Sequence, residues 1–309
     1  MDNAMTKRLF LFAGYDKSGV IDNTLVHYLS ELSKLGDIIF VMDCDIDASE
    51  LSKISDIPNV LYKSASRHGE YDFGSYKRAY QYADGAGILP NYDWVYLVND
   101  SVYGPLFDLT GPLMDLESRG VDLTGMVDYR SETSPVQVQS WFVGISRAVA
   151  TSGFLREFMN NISRQSDKKD IVFKYEVGLT QLILRNGYRM STLVSGENGD
   201  VCHSVYHAPH RMLQAGIPFI KKNGLENLRG LHYLYPYTTE EIVRDIHAHA
   251  TRTNTPIVRN NNYTKIFRIS LLSIPLFTLY SQRYVTSRQV CYKGYLFDIV
   301  PLVKIFKRI

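Results

Sequence analysis

Short apolar runs that stop at polar residues or glycine alternate with amphipathic stretches through the first two thirds of the chain. The runs at 9–13, 38–42, 60–62 and 94–98 have the length and composition of buried strands. Residues 121–127 and 140–145 read as two more strands, with a polar loop at 128–135 between them. After the first run, Leu25, Leu29, Leu32 and Leu35 recur at helical spacing. Asp22 or Asn23 stands ready to cap that helix, and Gly36 to close it. Further helices are predicted from near Phe73, from Pro112 to Arg119, over 147–162 and over 176–186. This alternation implies an α/β fold, a mostly parallel sheet flanked by helices on both faces.

Beyond Tyr263 the pattern changes. Lys265, Arg268, Arg283, Arg288, Lys293, Lys304, Lys307 and Arg308 are opposed only by Asp298. The apolar run at 266–279 contains Arg268 and Pro275 and is too short to span a bilayer. At the end, Leu302, Ile305, Phe306 and Ile309 can share a helical face, with Pro301 at the helix start and the basic residues off that face. Such a helix suits an anionic membrane surface. The chain therefore divides into a main α/β domain, 1–250, and a helical, basic, membrane-associating region, 251–309.

A chain of 309 residues can bury one large core with a smaller appendage. The formal net charge of +2, with no basic cluster interleaved with aromatics in the body, argues against nucleic acid as a partner. Cys44, Cys202 and Cys291 are odd in number and far apart, which gives neither a disulfide framework nor a zinc ribbon. The opening MDNAMTKRLF lacks the apolar core of a signal peptide, so the expected location is cytoplasmic, peripheral at the inner face of the membrane.

Candidate chemistry falls where strands end. The run 94–98 stops at Asn99-Asp100-Ser101, and Gly104-Pro105 then turn the chain. In an open α/β sheet ligands bind beyond the carboxyl ends of the strands, so a carboxylate there can hold a metal–diphosphate or a sugar hydroxyl. Asp100 as a simple turn cap is the plainer alternative. The first strand leads into Gly14-Tyr15-Asp16-Lys17-Ser18-Gly19, which lacks the spacing of a phosphate-binding loop. The third leads into residues 66–77, and Lys174-Tyr175-Glu176-Val177-Gly178-Leu179 comes much later.

The strings YDFGSYK, VNDSVYGPL, VQSWFVG and YEVGLTQLI, in that order, resemble the rhamnan synthesis protein F family of bacterial polysaccharide enzymes. The resemblance covers roughly residues 8–250, and the Asn-Asp-Ser-x-Tyr-Gly-Pro element is its most specific part. Two departures from the family pattern are Gly14, where a His is common, and His68-Gly69-Glu70, where Asn-x-Gly is frequent.

The resemblance implies a GT-A-type glycosyltransferase that builds O-antigen, capsule or rhamnan-type glycans. The donor would be dTDP-rhamnose or a UDP-sugar, and the acceptor a lipid-linked glycan. Asp100 then takes the place of the Asp-x-Asp-like element that holds Mg²⁺ or Mn²⁺ and the donor. Tyr15, Asp16, Arg67, Tyr71, Asp72, Lys77, Asn99 and Ser101 become the donor-binding set. Glu176, opening its predicted helix, becomes the general base, or an acceptor-positioning group if configuration is retained. Its alternative is a first-turn Glu favoured by the helix dipole. Gln139, Ser140 and Trp141 would meet the acceptor, Trp141 by stacking on a sugar face, or Trp141 is simply buried. His203, His207 or His210 would complete the metal shell, although Pro209 argues against a regular helix there. His247 and His249 read as solvated. A non-catalytic glycan- or partner-binding subunit and a sugar-phosphate transferase remain as rivals.

Overall fold

The structure is a computed structural model, and it describes residues 6–131, 134–196, 205–228, 230–257, 264–271, 274–284, 289–296 and 300–308. The chain forms two compact units, one of residues 1–203 with 215–219, the other of 204–214 with 220–309.

The first unit is built on an eight-stranded sheet. Strands β1 (Arg8–Gly14), β2 (Asp37–Met42), β3 (Val60–Ala65) and β4 (Trp94–Asn99) run parallel in the order β3-β2-β1-β4. After the short β5 (Val102–Tyr103) come β6 (Leu123–Ser131), β7 (Ser134–Val138), β8 (Phe142–Ser146) and β9 (Met190–Val194). Strand β8 lies antiparallel between β4 and β6, and β9 pairs parallel with β6. Strands β6 and β9 therefore point the same way as β1–β4, and all their carboxyl ends share one rim. The sheet is mostly parallel, as the run-and-break pattern implies.

Helices cover both faces. They are α1 (Asn23–Ser33), α2 (Ala48–Ser52), α3 (Tyr71–Gly85), α4 (Thr110–Ser118), α5 (Arg147–Ala150), α6 (Gly153–Asn160), α7 (Lys168–Ile171) and α8 (Gly178–Arg185). Successive side chains of β1 go to opposite faces. Leu9, Leu11 and Ala13 join Phe73, Tyr76, Ala79 and Tyr80 of α3 in the core. Phe10 and Phe12 instead meet Tyr96, Tyr28 and Phe40 on the other face.

At the amino end of β1, Arg8 forms a buried bidentate pair with Glu117 of α4, at 2.6 and 2.7 Å, and Tyr96 donates to the same carboxylate at 2.7 Å. Removing one partner of such a pair leaves a buried charge uncompensated. Glu117→Ala is therefore expected to destabilise the protein by about 3–5 kcal/mol, read as a lower urea midpoint at unchanged slope.

Three local expectations need correction. The loop foreseen at 128–135 is mostly hairpin, with Asp128 opposite Val138 and Tyr129 opposite Gln137. Strand β7 sits at the sheet edge, where polar residues and Pro135 are tolerated. The helix foreseen over 147–162 breaks at Thr151, because the Ser152 side chain caps α6 by accepting from the Leu155 N–H.

The third correction concerns Glu176. It does not open a helix, since α7 continues through a π-helical stretch, Val172–Val177, into α8. Core residues Ile171, Tyr175, Leu179 and Ile183 recur every fourth position. On a 3.6-residue helix three such steps would rotate the stripe by about 120°. The wider π turn absorbs that rotation and keeps the stripe on the core. The dipole argument for a first-turn Glu no longer applies.

In the second unit, α9 (Pro209–Gln214), β10 (Ile220–Lys221) and α10 (Glu240–Thr253) precede four strands, β11 (Thr264–Leu271), β12 (Ile274–Tyr284), β13 (Gln289–Leu296) and β14 (Val300–Arg308). The last four form an antiparallel sheet in sequence order. The basic C-terminal helix expected from Leu302, Ile305 and Phe306 is thus a strand, and Ile309 lies outside the described residues. The segment is rich in Val, Ile, Phe and Tyr, residues that favour a pleated surface once a partner strand is available. His249, expected to be solvated, is buried with its Nε2 3.3 Å from the Lys222 ammonium, whereas His247 is exposed. Among the described residues no helix is long and apolar enough to cross a membrane.

Candidate functional site

Strand β4 ends at Asn99, whose buried side chain organises the turn that follows. Its Oδ1 accepts from the Ser101 N–H at 3.1 Å and from Ser101 Oγ at 2.5 Å, while its Nδ2 donates to Asp72 Oδ2 at 3.0 Å. Asn99 therefore shapes the site, with both ends of its amide engaged. The turn leaves Asp100 half-buried at the rim. The Asp100 N–H donates to the Ala13 carbonyl at 3.2 Å, and its Oδ2 accepts from the Tyr15 N–H at 3.2 Å. These bonds tie the ends of β4 and β1 together and fix the direction of the carboxylate.

Beside it, the exposed ring of Tyr15 lies under the Arg67 guanidinium, 5.3 Å from the ring centroid. A hydrogen bond to Tyr15 is the main cause that raises the pKa of Arg67. Arg67 also donates to the Asp43 carbonyl at 3.3 Å, and its backbone N–H to Asp45 Oδ1 at 3.0 Å. The pair presents a cation and an aromatic face side by side. Asp16 is directed to its own loop, where its Oδ1 accepts from the Ser18 and Val20 N–H groups at 2.8 and 3.2 Å.

Asp43, at the end of β2, is a site residue that the sequence reading passed over. Its buried Oδ1 accepts the N–H groups of His68 and Gly69, each at 2.8 Å, and so holds the loop that leads to α3. The signal was present, because Asp43-Cys44-Asp45 ends a strand just as Asn99-Asp100-Ser101 does. His68 stays in the interior, where burial lowers its pKa, and its Nδ1 accepts from the Glu70 N–H at 3.1 Å. The loop delivers Tyr71 with φ of +57° and 51% exposed. A bulky residue in that region is strained, and such strain concentrates at ligand clamps.

Tyr76 of α3 is the second residue missed. It is fully buried, its hydroxyl donates to the Ser140 carbonyl at 3.0 Å, and it also meets Asn99. Burial chiefly, then the charge of Asp72 and more weakly that of Glu176, raises its pKa well above the ordinary tyrosine value. Tyr175, next to Glu176, packs its ring 5.6 Å from that of Phe73, next to Asp72, so the two carboxylates stand on segments that pack together. Spacing held the clue, since Asp72 and Tyr76 are four apart on one helix face.

Other predicted site residues go elsewhere. The Lys77 ammonium is held by the Ile162 carbonyl at 2.8 Å, where it docks α3 against the end of α6. Trp141 is only 3% exposed, packs its ring on Phe142 and Phe219, and donates to Gln139 Oε1 at 2.8 Å. A ring so covered cannot stack on a sugar, so this expectation is corrected; Gln139 is buried too. Ser140 contributes its carbonyl, to Tyr76. His203 lies outside the described residues, while His207, exposed, and His210, half-buried, belong to the second unit.

Among the described residues no three His, Cys, Asp or Glu side chains converge as a metal cage. The turn after β4, in which Asp100 is the carboxylate, corresponds to a different arrangement. Mg²⁺-like ions are commonly held by one or two carboxylates, with substrate phosphates supplying the remaining oxygens.

No curated protein is detectably similar to this chain. Among solved structures, one assigned as a nucleotide-diphospho-sugar transferase from Desulfovibrio desulfuricans G20 aligns with a TM-score of 0.35 and 13% identity, over 76% of this chain and 99% of that one. Core-mannan synthase A of Aspergillus fumigatus, in its Mn/GDP form, aligns with a TM-score of 0.30 and 11% identity, over 52% of this chain and 64% of the other. The model of the family described as RgpF, rhamnan synthesis protein F, matches residues 38–297, from β2 into the C-terminal strands, and the chain belongs to that family.

Proposed function

We propose that this protein is a glycosyltransferase that moves a sugar from a nucleotide-sugar donor onto a lipid-linked bacterial surface glycan. Membership in a rhamnan synthesis family supports a glycosyltransferase-type activity. The observation that carries the reading to a site is Asp100, half-buried at the carboxyl end of a central parallel strand and held by the Tyr15 N–H. In this reading Asp100 faces the donor diphosphate, together with Mg²⁺ or Mn²⁺ carried in by it; the cation would neutralise the leaving group. Tyr15 and Tyr71 supply exposed aromatic faces for the nucleoside, and Arg67 a positive charge beside them. Asp72, Asn99 and Ser101 hold this frame through their mutual hydrogen bonds. Glu176 takes the proton from the acceptor hydroxyl as the new bond forms.

A thermal-shift screen of nucleotide-sugars, with and without Mn²⁺, tests the donor site, because a ligand that binds only the folded state raises its melting temperature. A rise for at least one donor supports the reading, and no rise for any donor contradicts it.

We also propose that the C-terminal sheet keeps the enzyme at an anionic membrane, near its lipid-linked acceptor. The register sets Lys265, Tyr280, Lys293 and Lys304 in one cross-strand row, and the region's basic residues are opposed only by Asp298. Deleting residues after Tyr263 is expected to abolish sedimentation with anionic liposomes, and unchanged sedimentation would refute this.

A further inference from the structure

Buried polar groups in folded proteins are almost always paired. At this rim Asn99, Asp72, Tyr76, Asp43 and His68 all follow that rule. Tyr28 of α1 does not. Its side chain is buried, with its ring against Phe12 at 5.1 Å and Phe219 at 5.2 Å, yet its hydroxyl has no hydrogen-bond partner among the described residues.

The position of that hydroxyl is informative. The neighbouring His27 bonds the Pro105 carbonyl at 2.8 Å, which pins α1 to the segment just past β5, the short strand that follows the Asp100 turn. Tyr28 packs on Phe12, which pairs in register with Val98 close to the end of β4, and burial, then the charge of Asp100, raises its pKa well above the ordinary tyrosine value. Packing alone would be served equally well by phenylalanine. An unpaired buried O–H on the side of the sheet where β4 ends is a standing cost that has a use if it gains a partner during function.

We propose that Tyr28 is a positioning residue of the donor site, donating its hydrogen bond to the Asp100 carboxylate when Asp100 engages the donor. Hydrogen bonds at catalytic sites are often long in the ligand-free protein and tighten on binding. The Tyr15 N–H fixes Oδ2 of Asp100 from the β1 side, and Tyr28 steadies the carboxylate from the α1 side. This rests on the donor-site reading above and adds to it a second residue, in a helix that carries none of the sequence motifs.

The test is a double-mutant cycle on the full chain. UDP-glucose, UDP-galactose, GDP-mannose and dTDP-rhamnose, each with Mn²⁺, are titrated calorimetrically, and the tightest is carried through. Tyr28→Phe keeps the ring, so its melting temperature is expected to equal or exceed that of the wild type. Its affinity for the donor is expected to fall about 10-fold or more, as for a lost hydrogen bond to a charged group. In an Asp100→Ala background the same change should have no further effect. Unchanged affinity in Tyr28→Phe, an equal loss in both backgrounds, or a lowered melting temperature would overturn the positioning role. If the wild type binds none of the probes, or Asp100→Ala binds as tightly as the wild type, the donor-site reading fails first and this proposal with it.

Discussion

Asp100→Ala is expected to reduce sugar transfer by at least about 100-fold while leaving the fold intact, the magnitude seen when one preorganised group that stabilises developing charge is removed. The expectation follows from position. Asp100 is half-buried at the rim, where its carboxylate accepts from the Tyr15 N–H, so truncation opens no core cavity. Its melting temperature should therefore stay within a few degrees of the wild type, about the shift that 1 kcal/mol produces in a domain of this size. Asp100→Asn sharpens the test, because it keeps an oxygen for Tyr15 and removes the charge. If charge is what matters, Asn is nearly as damaging as Ala. If Asp100 merely caps its turn, Asn is close to silent.

Glu176→Gln is expected to lower kcat by about 10²–10⁴-fold, the usual contribution of a positioned general base, with donor affinity unchanged. The packing supports the role, since Tyr175, next to Glu176, lies against Phe73 of α3, next to the Asp72 that bonds Asn99. The π turn that carries it belongs to a rare class of helix distortion found often at functional sites. A general base must be ionised, so the acid limb of the wild-type kcat profile should vanish in the variant. A raised KM for the acceptor with kcat intact would assign Glu176 to acceptor positioning instead, and steady-state kinetics at several pH values separates the two.

Much of the first unit is legible in the chain. Strands β1, β2 and β4 are unbroken apolar runs bounded by abrupt polar stops, and a strand buried on both faces reads that way. The same stops mark the rim, so pattern picks out the segments that hold Tyr15, Arg67 and Asp100, while the donor-binding roles of Tyr15 and Arg67 come from the family resemblance. What pattern does not carry is which partner a residue finds. Asn99, Asp72 and Tyr76 become one hydrogen-bonded group only when α3 docks beside β4, and nothing local in either segment specifies that meeting. Trp141 could be read for sugar stacking because its covering residues, Phe142 and Phe219, include one that is distant in sequence. The C-terminal strands show a second limit. Leu302, Ile305 and Phe306 fit a helical stripe, yet Val303, Ile305 and Lys307 alternate with Lys304, Phe306 and Arg308 as in a strand. Pairing with β13 decides between the two patterns.

The most direct measurement of the central claim is phosphorus NMR of the wild type and Asp100→Ala turning over the donor that binds best, with Mn²⁺ chelated before acquisition. The account expects the wild type to release a nucleoside diphosphate in step with loss of the nucleotide-sugar, and Asp100→Ala to release almost none. Release of a nucleoside monophosphate, no turnover by a wild type that binds the donor, or equal release by both proteins would contradict it.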